Sequence, residues 1–398
     1  MGLNNLPSSE RAHISFFGRR NAGKSSVVNA VTGQKLSIVS DKLGTTTDPV
    51  TKAMEILPMG PVVIIDTPGF DDEGELGELR VEKAKQVLNK TDVAVLIIDV
   101  SAGMKETDKE LISLFKEKEI PYITVYNKCD TLEEVPADNG NTLYVSALTG
   151  SGIHELKEKI ASFTPDKREK FIVRDLIEEK DLVVLVIPID ESAPKGRIIL
   201  PQQQTLREVL DTNAVAVCVQ DTDLKDYLAT GGKKPKMVIT DSQAFKLVSD
   251  VVPEDIPLTS FSILLARYKG FLIEAVKGVS ALKELKEGSC ILVAEGCTHH
   301  RQCNDIGTVK LPNMIRKFTG KDFIFETVSG REFPDNLSKY DLVLHCGGCM
   351  LNDREVQNRM KSAVSQGIPF TNYGITIAYL TGILKRSLEL FPELTKLI

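Results

Sequence analysis

The 398 residues carry 49 Lys and Arg against 55 Asp and Glu, a net charge of −6. That composition is ordinary for a soluble globular protein, and without a long Lys/Arg block it offers no electrostatic footprint for nucleic acid. The length exceeds what one hydrophobic core supports, so two or three domains are expected. Seven cysteines, an odd count in a long chain, point to thiols or metal ligands rather than a disulfide framework. The N-terminal Met1-Gly2-Leu3-Asn4-Asn5-Leu6 lacks an apolar signal segment, and Leu6 departs from the myristoylation pattern. The longest apolar runs, Val93 to Val100 and Leu182 to Ile189, are strand-length. A cytoplasmic protein without nucleic-acid or membrane partners is the expectation.

In chain order, the apolar run Ile14-Ser15-Phe16-Phe17 leads into Gly18-Arg19-Arg20-Asn21-Ala22-Gly23-Lys24-Ser25-Ser26, and Val27 to Val31 then carries a helical pattern. Strand, glycine-rich loop and helix are the context of a phosphate-binding loop. Gly18 and Gly23 let backbone N–H groups curl around phosphates, Lys24 reaches the β and γ oxygens, and Ser25 holds Mg²⁺. Gly44-Thr45-Thr46-Thr47-Asp48 lies in a polar loop, where Thr46 could complete the Mg²⁺ shell. Val62 to Ile65 reads as a buried strand entering Asp66-Thr67-Pro68-Gly69, whose carboxylate would act on Mg²⁺ through water and whose Gly69 N–H would sense a γ-phosphate. Val93 to Ile98 is a further strand. Ile123 to Tyr126 ends in Asn127-Lys128-Cys129-Asp130, a loop suited to guanine because one carboxylate accepts both N1–H and the exocyclic amine. After the strand Leu143 to Val145, Ser146-Ala147-Leu148 offers a backbone N–H to the guanine O6. Phe70 cannot position a water, and the sequence does not say which of Asp71, Asp72, Glu73 or Glu75, if any, does so instead.

Thr164-Pro165-Asp166-Lys167-Arg168-Glu169-Lys170 reads as a linker. Beyond it, Leu182 to Ile187, Ala214 to Val219 and Met237 to Thr240 are predicted strands, alternating with helices over Gln202 to Asp211, Leu224 to Ala229 and Ser242 to Val251. This alternation implies a parallel sheet covered on both faces. Cys218, inside an apolar strand, is expected to be a buried small hydrophobe. An apolar sheet edge in so small a unit calls for a partner, so dimerisation is expected there. Asp190 and Glu191 follow a strand end, as a turn or within reach of a neighbouring site.

From about Phe261 a third unit begins. The predicted strand Cys290 to Ala294 is followed by Glu295-Gly296-Cys297-Thr298-His299-His300, Phe323 to Val328 is another strand, and Asp341 to Leu344 runs into His345-Cys346-Gly347-Gly348-Cys349. Both cysteine groups follow the carboxyl ends of strands, where ligand sites gather in an open parallel sheet, so Cys297, Cys346 and Cys349 could converge. Three thiolates with nearby imidazoles suit zinc in a Cys₃His site or a [4Fe–4S] cluster with one non-cysteine or exchangeable position. Cys303 has no partner at a ligand spacing.

Residues up to about Phe163 resemble a small GTPase of the TrmE–Era class. In potassium-activated members of that class, an asparagine at the position of Asn21 helps hold a monovalent cation beside the phosphates. Over the whole chain, the combination of this front domain with Cys297-Thr298-His299 and His345-Cys346-Gly347-Gly348-Cys349 resembles the [FeFe]-hydrogenase maturation GTPases, HydF. The resemblance implies an α/β chain of three domains: a P-loop GTP-binding domain over 1–166, a dimerisation domain over 167–260 and an iron–sulfur domain over 261–398, the latter two with mainly parallel sheets. It implies GTP, Mg²⁺, K⁺ and a [4Fe–4S] cluster on Cys297, Cys346 and Cys349, with His299 or His345 as candidates for the fourth place. It also implies a homodimeric scaffold that receives the two-iron subcluster precursor, built with radical-SAM enzymes, and delivers it to apo-hydrogenase. A tRNA-modifying or ribosome-assembly GTPase would share the first domain. TrmE-type enzymes, however, end in a short cysteine motif, whereas this chain ends Leu394-Thr395-Lys396-Leu397-Ile398.

Overall fold

The computed structural model describes residues 7–34, 49–69, 84–163, 170–189, 198–230, 232–296, 305–330 and 332–398. Thr46, Phe70, the acidic residues 71–75, the linker 164–169, Asp190, Glu191, Cys297, Thr298, His299, His300 and Cys303 lie outside them. The chain divides into two compact units, Met1–Lys167 and Arg168–Ile398.

The first unit is built on a six-stranded sheet in the order β2-β3-β1-β4-β5-β6. Its strands are β1 (Ala12–Gly18), β2 (Val50–Ile56), β3 (Gly60–Asp66), β4 (Val93–Asp99), β5 (Tyr122–Asn127) and β6 (Thr142–Val145). Only β2 runs antiparallel, against β3; the other pairs are parallel. The near-continuous apolar strands are explained by two cores, one on each face. Ile14, Phe16, Ile64, Val95 and Val125 pack on one side with Val27 and Val31 of α1 (Lys24–Thr32) and Leu156 of α3 (Ile153–Phe163). Phe17, Val63, Ile65, Leu96 and Ile98 pack on the other with Leu111 and Phe115 of α2 (Glu106–Glu117). Period-2 alternation sends successive apolar residues to opposite covered faces.

The second unit contains two four-stranded, wholly parallel sheets. One has the order β10-β9-β7-β8, from β7 (Leu182–Val186), β8 (Val215–Val219), β9 (Met237–Thr240) and β10 (Leu258–Ser260). The other has the order β12-β11-β13-β14, from β11 (Cys290–Ala294), β12 (Ile324–Val328), β13 (Leu342–His345) and β14 (Phe370–Asn372). Helices α4 (Leu200–Asp211), α5 (Leu224–Ala229), α6 (Phe245–Val251), α7 (Phe261–Tyr268) and α8 (Leu272–Val279) are followed by α9 (Leu311–Thr319), α10 (Asp353–Ser365), α11 (Tyr373–Leu380) and α12 (Leu384–Ser387). One continuous apolar core runs through both sheets.

The two sheets share one topology: the first strand has the second on one side, and the third and fourth on the other. The likeness extends to sequence. Leu258-Thr259-Ser260-Phe261-Ser262-Ile263 and Phe370-Thr371-Asn372-Tyr373-Gly374-Ile375 each form a three-residue strand and the start of an eight-residue helix. Ser260 caps its helix by accepting from the Ile263 N–H, as Asn372 does from that of Ile375. Gly270 and Gly382 close the equivalent turns with the same positive φ of 78°. The two helices meet at the equivalent positions Ser262 and Gly374. A β-carbon on Gly374 would sit 1.7 Å from the Ser262 hydroxyl, so only glycine admits the approach.

One expectation is corrected. Cys218 is exposed, as is Val215, because β8 is an edge strand of its sheet among the described residues.

Candidate nucleotide and metal sites

The glycine-rich loop leaves β1 where the strand order reverses, with β3 on one side and β4 on the other. That is the crevice in which open α/β sheets bind ligands. Gly18 is pressed against β4: an added β-carbon would lie 2.6 Å from the Ile97 carbonyl oxygen. Gly23, at φ 79°, caps α1, and a β-carbon there would lie 2.2 Å from the Asn127 amide nitrogen. Lys24, the first residue of α1, is buried and paired with Asp66 at the end of β3, and the Ser25 hydroxyl donates to the other Asp66 oxygen at 3.1 Å. Lysine, serine and carboxylate of the two phosphate motifs therefore stand in one cluster. Gly69 approaches the same loop, since its β-carbon would come within 2.9 Å of the Arg20 nitrogen. Asn21 has a positive φ of 62° and an exposed side chain, as does Ser26 at the start of α1 an exposed hydroxyl.

The loops after β5 and β6 are stitched to this loop by side chains. Asn127 is buried at the end of β5; its amide donates to the Ala22 carbonyl at 3.0 Å and its oxygen accepts from the Ala147 N–H at 3.1 Å. Lys128 donates to the Asn21 carbonyl at 3.0 Å and to the Asp99 carboxylate at 2.6 Å. Burial opposes ionisation of Asp99, but hydrogen bonds from Lys128 and Ser101 outweigh it and hold the carboxyl down at about 2. Asp130 is exposed, open to a base, and the Ser146 hydroxyl caps its own turn by accepting from the Thr149 N–H. A tie that the motifs do not contain is Arg19, which donates to Asp108 at 3.1 Å and to the Gly103 carbonyl at 2.7 Å. It anchors the loop to the start of α2.

The second site occupies the switch point of the last sheet, between β11 and β13. Cys346, one residue past β13, is half-buried, and its sulfur accepts from the Gly296 N–H at 3.1 Å and from the Gly348 N–H at 3.3 Å. Gly296 itself follows β11. Burial pushes the Cys346 thiol up to about 11, and Cys349 is raised by the same cause against the opposing field of Lys269. Two N–H donors on one sulfur, in a glycine-lined loop, are the surroundings of a metal-bound sulfur rather than a reactive free thiol. A soft metal ion would displace the proton. The described donors thus fit a soft metal or an iron–sulfur cluster. Among the described residues no group of three or more His, Cys, Asp or Glu is gathered for a metal ion.

His345 is wholly buried over Phe370. Arg359 approaches its Nε2 at 3.4 Å and can only donate, so Nδ1 carries the proton and donates to the Cys346 carbonyl at 2.7 Å. Burial, with Arg359 and Lys269 nearby, brings the imidazole down to about 3. Both of its nitrogens are engaged. Around this loop stand residues that the cysteine spacing did not announce. Glu295 is buried and accepts from the Tyr373 hydroxyl at 3.3 Å; Lys269 and Arg359 are buried cations. For Tyr373 and Asn372, the repetition of the segment beginning at Leu258 was the available signal. Isolated buried charges on amphipathic helices leave none.

Residues 13–128 match the family model of the 50S ribosome-binding GTPases, 172–270 that of the hydrogen maturase F dimerization domain, and 273–390 that of the hydrogen maturase F tetramerization domain. GTPase Era of Carboxydothermus hydrogenoformans is 31% identical over 193 residues, 42% of this chain and 64% of its own. The tRNA modification GTPase MnmE of Clostridioides difficile is 34% identical over 153 residues, 36% of this chain and 33% of its own. The chain spans less than two thirds of the length of either relative. A crystal structure of an Aquifex aeolicus Era variant bound to GDP and AlF₄⁻ is 23% identical, covers 52% of this chain and 92% of its own, and superposes with a TM-score of 0.35. With a P-loop GTPase domain at its front and the two maturase domains matching more than half of its length between them, the chain belongs to the hydrogen maturase F family.

Proposed function

We propose that this GTPase hydrolyses GTP slowly and serves as an iron–sulfur scaffold that receives the two-iron subcluster precursor of [FeFe]-hydrogenase and delivers it to the apo-hydrogenase, alongside radical-SAM maturation enzymes. The observation that carries the reading is the union, in one chain of this family, of the phosphate loop with a half-buried cysteine pair at a sheet switch point. Gly18 and Asn21 to Ser26 would cradle the phosphates. Ser25 and Thr46 would hold Mg²⁺, with Asp66 acting through water and Gly69 on the γ-phosphate, and Asn21 would serve K⁺. Asn127, Lys128, Asp130, Ser146 and Ala147 would form the guanine pocket. Cys297, Cys346 and Cys349 would hold a [4Fe–4S] cluster, which when bound supplies a soft, exchangeable coordination position. For the fourth place His299 is the better candidate than His345, whose two nitrogens already have partners.

The domain assignment is 1–166 for GTP, 167–260 for dimerisation and 261–398 for the cluster. Self-association is supported by the matches to dimerization and tetramerization domains, and the exposed edge strand β8 is the surface through which we place the dimer. No described helix is long and apolar enough to cross a membrane; a cytoplasmic site of action fits the delivery role.

Turnover of GTP and ATP in sodium and potassium buffers, and EPR of the reduced protein after anaerobic reconstitution with iron and sulfide, test the two halves. Preference for GTP, stimulation by potassium and a cluster signal are expected. Equal use of ATP would overturn the guanine assignment, and zinc as the only metal taken up would overturn the scaffold.

A further inference from the structure

Two cations lie buried beside the cysteine loop, and they reach it from different helices. Lys269, just past α7, is 0% exposed, and its ammonium donates to the Leu351 carbonyl at 2.8 Å and to Asp353 at 3.3 Å. Leu351 is two residues beyond Cys349. Arg359, on α10, is 4% exposed; it faces the Nε2 of His345, the residue before Cys346, and donates to the Gly330 carbonyl at 2.7 Å and to Glu355 at 3.1 Å. Each cation has a carboxylate partner in the first turn of α10, and Phe333 stacks on Arg359.

Burying an ammonium or guanidinium costs several kcal/mol, and a single ion pair at these distances seldom offsets it. An apolar side chain of the same length would hold either helix more cheaply. Lys269 also breaks the internal repeat: the equivalent residue of the other copy is Thr381, whose hydroxyl merely bonds back to Ile377. Retained charge at both positions makes sense if the loop between them carries negative charge of its own.

We infer that Lys269 and Arg359 are positioning residues that compensate the charge of the cysteine site and thereby set the reduction potential of an iron–sulfur cluster bound there. The inference rests on the reading of the site given above. In the relevant step one electron enters the cluster from an external reductant, no bond forms or breaks, and the added negative charge is stabilised by the two fixed cations. Removing one cation must therefore shift the potential in the negative direction, whereas exchanging it for the other kind of cation must not.

The test is a redox titration with dithionite and mediators, followed by EPR, on the full-length reconstituted protein carrying Lys269→Met, Lys269→Arg, Arg359→Gln or Arg359→Lys. We expect each neutral variant to shift the equilibrium toward the oxidised cluster roughly tenfold, about 59 mV for one electron, and the charge-conserving variants to stay near the wild type. A purely structural role would move Lys269→Met and Lys269→Arg alike, and that result, or an unchanged potential in the neutral variants, overturns the inference. If Lys269→Met does not fold, Arg359→Gln read against Arg359→Lys decides with the same signs. Wild-type protein that takes up only zinc refutes the cluster reading instead. The same variants are then titrated with Co²⁺, where the inference requires roughly tenfold weaker binding for the neutral ones and fails if their affinity is unchanged.

Discussion

Asn127→Ala should dismantle the nucleotide site by unlinking the loops that form it. The amide joins two loops: its nitrogen donates to the Ala22 carbonyl of the phosphate loop, and its oxygen receives the Ala147 N–H. Ala22 is 2% exposed, so its carbonyl would lose this donor where water does not reach, at a cost of about 1–3 kcal/mol. Ala147 is half-buried and can recover a water, so its loss is about 0.5–1 kcal/mol. The sum, roughly 1.5–4 kcal/mol, falls on the first unit alone. Its melting temperature should drop by roughly 5–10 °C in a nucleotide-free thermal scan. GTP affinity should weaken at least tenfold by calorimetry, since about 1.4 kcal/mol of loop disorder corresponds to that factor. Asn127→Asp keeps an acceptor for Ala147 but sets a second oxygen against the Ala22 carbonyl, and should be worse than alanine. If Asn127→Ala melts and binds GTP as the wild type does, the loops are held by other contacts and the stitching argument fails.

Three further outcomes follow from other parts of the structure. In Gly278→Ala the new methyl would stand 2.1 Å from the Phe370 carbonyl oxygen, a backbone atom that cannot rotate away. Overpacking of about 1–3 kcal/mol or more should exceed the roughly 1 kcal/mol gain in helix propensity, lowering the melting temperature of the second unit while GTP hydrolysis persists. Cys346→Ser should lose the cluster signal in EPR with GTP turnover unchanged, because the nucleotide loops belong to the first unit; a variant that keeps the signal would remove Cys346 from the ligand set. Asp99, held at about 2, has its carboxylate favoured in the folded state, so its contribution is fully present above about pH 4 and lost as pH falls toward 2. Lys128 is 40% exposed, and solvent screening leaves about 1 kcal/mol. Acid unfolding of Asp99→Asn should lack this component, and an unchanged acid profile would show that the ion pair contributes nothing.

The nucleotide site was legible because its chemistry is contiguous. Gly18 to Ser25 is a single loop, and the strand ends at Asp66 and Asn127 announce their motifs directly, whereas the order of the strands in the sheet was not legible. The cysteine pair was legible for the same reason: Cys346 and Cys349 follow β13 within five residues. What encloses the pair was not. Lys269 lies just past the end of a helix, 77 residues before Cys346, and only the packing of α7 against the loop after β13 brings the two together. Cys218 was misjudged because an apolar run does not reveal which strand is an edge. Strand order depends on crossovers, and among the described residues β8 is left with one neighbour because β9 crosses to the far side of β7.

The internal repeat explains how a fold with two similar sheets concentrates chemistry in one of them. Helices α7 and α11 begin at the carboxyl ends of β10 and β14 and touch through Ser262 and Gly374, which brings the ligand-binding edges of both sheets to a common seam. Across that seam the copies have diverged in kind. After β9 the chain reads Asp241-Ser242-Gln243-Ala244, whose polar groups bond to Gln202, Ser262 and Lys310. After β13 the equivalent positions read Cys346-Gly347-Gly348-Cys349, with glycine N–H groups turned onto sulfur. The first copy closes its switch point with its own hydrogen bonds and sends Lys269 into the second; the second, on the function proposed above, keeps its sulfurs for a metal. If that division is correct, restoring the repeat with Lys269→Thr should leave the fold of the second unit near native stability in a thermal scan while shifting the cluster potential as Lys269→Met does. A large loss of stability with an unmoved potential would instead make Lys269 a structural pin.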